Sequence, residues 1–129
     1  MATRGNLCHD LQREGVLILP NVGNAGEARL VEQLGSRAVA TSSAAVVWTH
    51  GYKDGNCLPL ELLSTTVRSM ARVLNVPLTV DIEGCYSDDP HHVAKVIETV
   101  IDAGAVGIKS KMARPLPSCW CASSTLLGR

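Results

Sequence analysis

Apolar residues along the chain form short continuous runs that alternate with longer segments of helical periodicity. The runs are GVLILPN (15–21), RAVATSSA (37–44), LTVDIEG (78–84) and AVGI (105–108). They are rich in branched side chains, and such runs are typical of strands that are buried on both faces of a sheet. The pattern therefore predicts four strands.

The segments between these runs place apolar residues three and four positions apart, as amphipathic helices do. They are AGEARLVEQLGS (25–36), LPLELLSTTVRSMARVLNVP (58–77) and SDDPHHVAKVIETVIDAG (87–104). Strands that alternate with helices predict an α/β fold with a parallel sheet and right-handed crossovers. The alternation alone fits both a β/α barrel and an open doubly wound sheet.

Composition narrows the functional classes. The chain has 129 residues, 46% hydrophobic and 19% charged, which suits one globular domain or part of a larger one. We expect a cytoplasmic protein without a membrane partner, because no run could span a bilayer and the first residues lack the apolar core of a secretion signal. Up to residue 108 there are 8 basic and 12 acidic residues. This balance argues against a nucleic-acid partner, which needs a clustered basic face.

The five cysteines are an odd number, so a disulfide framework is not expected. A small binding module with a basic, cysteine-containing tail is one alternative function. Its tail pair, Cys119 and Cys121, lacks the usual CxxC spacing of a zinc site.

The most specific chemical signal is the acidic pair Asp81 and Glu83 at the end of the third predicted strand. Side chains two positions apart on a strand point the same way, so the two carboxylates could share Mg²⁺, which keeps several waters in proteins. The pair could equally belong to an ordinary acidic loop before a helix.

A second signal is ATSSAAVVWTHGYKDG (40–55), in which small residues follow the second strand. Hydroxyls and free backbone N–H groups in such a loop can hold a carboxylate, although small side chains also suit a tightly packed loop. Asp54, near its end, could reach the water shell of a metal or simply form a Lys-Asp-Gly turn.

Three segments together resemble the isocitrate lyase and phosphoenolpyruvate mutase family: LILPNVGNAGEARLVEQLG (17–35), ATSSAAVVWTHGYKDGN (40–56) and VDIEGCYSDDP (80–90). The resemblance runs from about Leu11 to Ile108. It implies roughly the first four βα units of a (β/α)₈ barrel, in an enzyme that cleaves or rearranges C–C or P–C bonds of 2-oxo, 2-hydroxy tricarboxylic or phosphono acids. It also implies a homo-oligomer in the full-length family.

The resemblance further implies that Mg²⁺, or Mn²⁺ in its place, stabilises an enolate. Matched by position, the metal would be bound directly by Asp81 and through waters by Glu83 and by Asp54, which we place in the catalytic group. The substrate carboxylate would be held by Ser42 and by the backbone N–H groups of Ser43 and Ala44.

The chain departs from the family pattern at Cys85, where a second glycine is usual, and after Ile108. Many relatives continue there with N-I-E-D-G, whose Glu is another carboxylate of the metal shell. This chain has Lys109, Ser110, Lys111 and then Met-Ala.

A one-base deletion accounts for that change. N-I-E-D-G can be written AAC ATC GAA GAT GGC, and loss of the first C gives AAA TCG AAG ATG GC, which encodes Lys-Ser-Lys-Met-Ala. We therefore expect residues 1–108 to be the N-terminal half of a barrel and residues 109–129 to be an out-of-frame, disordered tail. The gene's nucleotide sequence tests this. In that case the family activity would be lost, leaving a non-catalytic remnant.

Overall fold

The computed structural model describes residues 3–111 and 120–121. Its helices are α1 (Arg4–Arg13), α2 (Ala25–Gln33), α3 (Ser43–Thr49), α4 (Leu60–Val73) and α5 (Pro90–Asp102). Its strands are β1 (Asn21–Val22), β2 (Val39–Thr41), β3 (Leu78–Asp81), β4 (Gly107–Lys109) and β5 (Trp120–Cys121). Among these helices, none is long and apolar enough to cross a bilayer.

Strands β1 to β4 form a parallel sheet in chain order. Each connection between them contains helix: α2 after β1, α3 and α4 after β2, and α5 after β3. The backbone of β5 pairs with β4 in the antiparallel direction. This confirms the predicted α/β class, and four adjacent parallel strands in chain order are what the first units of a β/α barrel require.

The core joins the middle of the sheet to the inner faces of the long helices. Val67 and Met70 of α4, Val96 and Val100 of α5, and Val80 of β3 have no exposed surface. Burying an aliphatic side chain of this size contributes about 1.5–3 kcal/mol, so this cluster fixes the positions of the strand ends. This burial confirms the predicted apolar stripes of α4 and α5. On α2 the prediction is wrong in part, because Ala28 is buried but Leu30 and Leu34 are 56% and 79% exposed.

Helix α5 begins where its sequence indicates. The Asp89 carboxylate accepts hydrogen bonds from the backbone N–H groups of His91 and His92, and Pro90 occupies the first turn. After the helix, Gly104 has φ +117°, and an added Cβ would lie 2.5 Å from the Cβ of Ala71 on α4. A glycine is therefore required there, both for its conformation and for its close packing.

The first predicted strand is wrong in its extent. The run from Gly15 to Asn21 leads into a strand of only two residues, Asn21–Val22, and Val16 and Ile18 are 97% and 77% exposed. Pro20 cannot donate to a neighbouring strand, and within the described residues no strand lies on the outer side of β1. Branched apolar residues favour a strand, but a strand also needs a partner.

The segment after β2 is also different from the prediction. The expected loop begins with a helix, α3, and the Ser42 hydroxyl accepts a hydrogen bond from the backbone N–H of Ala45 at 3.4 Å to cap it. The reason is local: the sequence from Ser43 to Thr49 has no glycine or proline, and it follows a good capping residue.

Part of the predicted tail is described. Lys109 ends β4, Ser110 and Lys111 continue beside the loop after β3, and Trp120–Cys121 form β5. The prediction of disorder otherwise falls on residues 112–119 and 122–129, which lie outside the described residues.

Candidate functional site

The site lies where β3 ends. Asp81 is the last residue of β3 and Glu83 follows two positions later; both residues are buried, with 6% and 5% of their surface exposed. The backbone N–H of Glu83 donates to Asp81 Oδ1 at 2.9 Å. Two carboxylates are thus held in the protein interior at the carboxyl end of a parallel strand, which is where β/α proteins place their chemistry.

The two carboxylates have different partners, contrary to the expectation that strand alternation points them the same way. The strand stops at Asp81, and Glu83 has φ +54°, so the chain turns before the second acid. Asp81 Oδ2 lies 3.9 Å from the ammonium of Lys111. Glu83 instead reaches the loop between α3 and α4.

Glu83 ties that loop to the end of β3. Its Oε2 accepts hydrogen bonds from the backbone N–H groups of Gly55, at 2.9 Å, and of Asn56. In return the Asn56 side-chain oxygen accepts from the N–H of Gly84 at 3.1 Å. Asp54 precedes this contact and is exposed. The structure therefore brings the loop that carries Asp54 to the acidic pair, and it leaves the Asp54 side chain facing solvent.

The backbone of these two loops is strained. Within residues 3–111 and 120–121, every non-glycine residue with positive φ lies in them: Asn56, Glu83, Cys85 and Tyr86, with φ between 54° and 64°. A left-handed conformation costs a non-glycine residue about 1–2 kcal/mol. Strain of this kind persists where the surrounding contacts fix the chain, and it is concentrated at functional sites.

The small residues after β2 lie at the same end of the sheet. Thr41, the last residue of β2, accepts the Asp81 backbone N–H on its hydroxyl at 2.9 Å. Ser42 uses its hydroxyl to cap α3, and Ser43 and Ala44 form the first turn of that helix, whose N–H groups have no acceptor within a helix. The Ser43 side chain is buried, and its hydroxyl accepts from Lys111 Nζ at 3.1 Å.

Sequence reasoning missed three residues of this site. Asn56 and Thr41 hold the loops and strand end in place, but an isolated polar residue at such a position gives no signal in the sequence. Lys111 falls in the predicted out-of-frame tail, yet its side chain lies between Asp81 and Ser43. Tyr86 is also close by: burial raises the pKa of its phenol to about 12, and the negative charge of Glu83 adds to the shift.

The donor set suits a hard cation that keeps most of its water. Within the described part of the chain, no three His, Cys, Asp or Glu side chains converge as a closed metal cage. Mg²⁺ does not need one, since it is commonly bound through one or two carboxylates and several waters. The buried carboxylate of Asp81 fits the direct ligand, and Glu83 fits an outer position because its Oε2 already accepts two backbone N–H groups.

A parallel β/α sheet with buried acids at its carboxyl edge is an arrangement that β/α-barrel enzymes share. The sequence model of the phosphoenolpyruvate phosphomutase family matches residues 8–110. Because the match covers most of the chain, this protein belongs to that family, whose members are lyases and mutases.

Individual relatives agree with this assignment. The 2-methylisocitrate lyase of Escherichia coli K12 is 28% identical over 99 residues, which are 76% of this chain and 33% of the relative. A Burkholderia cenocepacia J2315 protein provisionally named a phosphonomutase is 36% identical, with a TM-score of 0.79 over 83% of this chain and 44% of its own.

A phosphonopyruvate hydrolase solved with oxalate and Mg²⁺ is 20% identical and has a TM-score of 0.78 over 92% of this chain and 43% of its own. At this identity the likeness shows the fold alone, and the fold is that of a partial TIM barrel. The chain spans less than half the length of each of these relatives.

Proposed function

We propose that residues 8–110 form the amino-terminal half of a Mg²⁺-dependent site for a lyase or mutase acting on 2-oxo, 2-hydroxy tricarboxylic or phosphono acids. The observation that carries the proposal is the pair of buried carboxylates at the end of β3, one of them tied to the loop that holds Asp54. Two buried carboxylates at one strand end offer the oxygen ligands that Mg²⁺ takes in proteins, which supports a cation site there.

In this proposal Asp81 binds the metal directly, while Glu83 and Asp54 orient its waters. The metal would supply positive charge that stabilises an enolate of the substrate. Glu83 also fixes the loop that carries Asp54, because its carboxylate accepts the N–H groups of Gly55 and Asn56. Manganese would serve in place of magnesium, since both prefer oxygen ligands.

The substrate carboxylate would lie against the small residues at the end of β2. The N–H groups of Ser43 and Ala44 are in the first turn of α3 and can donate to an anion, with the Ser42 hydroxyl beside them. The phosphonopyruvate hydrolase structure that shares this fold was solved with oxalate, a small dicarboxylate, and Mg²⁺. This supports a small acid as the ligand. The proposal also includes a cytoplasmic location and a homo-oligomer that assembles when the barrel is complete.

A second candidate is a non-catalytic remnant that keeps the binding half of the site. One observation favours it: an ammonium group lies beside Asp81, where the proposed metal would bind. This candidate predicts that the 129-residue polypeptide binds metal and carboxylate without turnover.

The experiment measures oxalate binding calorimetrically at millimolar Mg²⁺ and turnover of 2-methylisocitrate, isocitrate, oxaloacetate and phosphonopyruvate. Asp81→Asn should abolish oxalate binding, whereas Asp102→Asn, an exposed acid at the end of α5, should leave it unchanged. Oxalate binding that is indifferent to Mg²⁺ and to Asp81→Asn would refute the proposed site. Turnover that disappears in Asp81→Asn would refute the remnant alternative.

A further inference from the structure

The side chain of Lys111 lies in the proposed metal site. Its ammonium is 3.9 Å from Asp81 Oδ2 and donates to the Ser43 hydroxyl at 3.1 Å. Within residues 3–111 and 120–121, this is the one ion pair made by either Asp81 or Glu83. A cation supplied by the chain itself therefore lies next to the buried acids.

The backbone keeps Lys111 at this position. Its N–H donates to the carbonyl of Glu83 at 2.6 Å, and the N–H of Ile82 donates to the carbonyl of Lys109 at 2.9 Å. These two contacts continue the pairing of β4 alongside the loop after β3. The ammonium can leave Asp81 by rotation of its side chain, but the residue itself remains beside the site.

A divalent ion and this ammonium compete for one carboxylate. Mg²⁺ binds oxygen at about 2.0–2.1 Å. A metal on Asp81 would therefore lie close to the Lys111 ammonium, which is 3.9 Å from Asp81 Oδ2. Like charges at such a distance repel strongly where water is partly excluded, and the Asp81 side chain is only 5% exposed. The Lys111 side chain is 53% exposed, so it can be displaced into solvent, and the effect is a weakened affinity and not a complete block.

We infer that Lys111 is an intramolecular competitor of divalent metal: its ammonium neutralises Asp81 in the metal-free chain and must withdraw before the metal binds. This inference rests on the proposed function, because it assumes that Asp81 is the metal ligand. It concerns the polypeptide as it stands, whatever the origin of residues 109–129.

The test is the affinity for Mn²⁺, measured by calorimetry and by the electron paramagnetic resonance signal of the free ion. Lys111→Met should bind Mn²⁺ about tenfold more tightly than the parent chain, because the competing charge is gone. Lys111→Gln should behave in the same way. Lys109→Met is the matched control: it removes an exposed lysine two positions earlier, at the end of β4, and should leave the affinity unchanged.

Asp81→Asn separates the two hypotheses. If Lys111→Met and the parent chain bind Mn²⁺ equally, and Asp81→Asn abolishes binding in both, the competitor role is refuted and the metal site stands. If no variant binds Mn²⁺, the metal site itself is refuted. A metal-free readout supports the pairing independently: the shifts in urea midpoint caused by Asp81→Asn and Lys111→Met should be non-additive in the double variant, and additive shifts would contradict the contact.

Discussion

Two glutamates use the same hydrogen-bonding arrangement at opposite ends of β3. Glu32, on α2, accepts the backbone N–H groups of Asn75 and Val76 on one carboxylate oxygen, just before the strand begins. Glu83, after the strand ends, accepts two consecutive N–H groups from the loop between α3 and α4. Each carboxylate thus fixes a loop that is distant in sequence.

The surroundings of the two carboxylates differ. Glu32 lies on a regular helix and pairs with the Arg29 guanidinium one turn earlier. Glu83 is buried, has a positive φ and, within the described residues, forms no ion pair. In β/α proteins the amino ends of the strands mainly maintain stability and the carboxyl ends carry chemistry. The same kind of contact is therefore made from a regular helical backbone by Glu32 and from a strained backbone by Glu83.

Removing Glu83 should have the largest effect on stability. We expect Glu83→Ala to lower the free energy of unfolding by about 3 kcal/mol, because two charge-assisted hydrogen bonds to the 55–56 loop are lost. Urea denaturation measures the change in the free energy of unfolding. Amide hydrogen exchange measures the local change: exchange should become faster at Gly55 and Asn56 and stay unchanged at Asn75 and Val76.

Glu83→Gln is the matched variant, since its amide oxygen can still accept those N–H groups. It should recover about half of the lost stability, because a neutral acceptor forms a weaker bond than a carboxylate. If Glu83→Ala is as stable as the parent chain and exchange at Gly55 is unaltered, the loop is held by other contacts and the comparison with Glu32 fails.

Removing Glu32 should cause a smaller loss of stability, and the faster amide exchange should appear in the other loop. We expect Glu32→Ala to cost about 2 kcal/mol, since Glu32 is less deeply buried than Glu83 and water can replace part of the contact. Exchange should become faster at Asn75 and Val76 but not at Gly55 and Asn56. Faster exchange at both loops in either variant would show that the two ends of β3 open together.

The pKa of Glu32 also predicts that its contribution to stability depends on pH. Partial burial acts to raise the pKa of Glu32, but the N–H of Asn75, the Arg29 guanidinium and the N–H of Val76 outweigh it, and the pKa is lowered from 4.5. A lowered pKa in the folded state means that Glu32 stabilises the fold above its unfolded pKa and loses this contribution as the pH falls through the folded pKa. The stability difference between the parent chain and Glu32→Gln should therefore shrink below about pH 4.5. A constant difference down to pH 3 would contradict this reading.

The sequence predicts the contacts of this molecule when their signals are local. The cap at Asp89 and the buried stripe of α5 lie within a few positions of each other, so both could be recognised. The resemblance predicts that Glu83 and Asp54 serve one metal, and the loop that carries Asp54 reaches the end of β3 through its hydrogen bonds to Glu83. The contact from Glu32 to Asn75 has no such signal, because a helical glutamate that binds a distant loop has the same local sequence pattern as one that does not.

Two failures have the same physical origin. The apolar run before β1 has the composition of a strand, but within the described residues no strand pairs with its outer side, and Val16 and Ile18 remain exposed. Lys111 looked like part of a tail that carries no chemistry, but the pairing of β4 with β3 brings it to Asp81. In both segments the residue types indicate a local tendency, but the tertiary structure decides what each residue contacts.

The smallest expected effect concerns the strain that distinguishes the two regions. Cys85 is buried with φ +64°, and its sulfur lies 2.9 Å from the Ser110 hydroxyl oxygen. Cys85→Ala and Cys85→Gly both remove the sulfur, but only glycine relieves the left-handed conformation. We therefore expect Cys85→Gly to be more stable than Cys85→Ala by about 1 kcal/mol in urea denaturation.

The control is the same pair of substitutions on α2, at the exposed position Leu30. There the backbone is helical, so Leu30→Gly should be less stable than Leu30→Ala by about 1 kcal/mol. The preference for glycine over alanine should thus reverse sign between the loop that carries Glu83 and the helix that carries Glu32. If alanine is preferred at both positions, the loop after β3 is not strained at Cys85, and the contrast between the two ends of the strand rests on burial and charge alone.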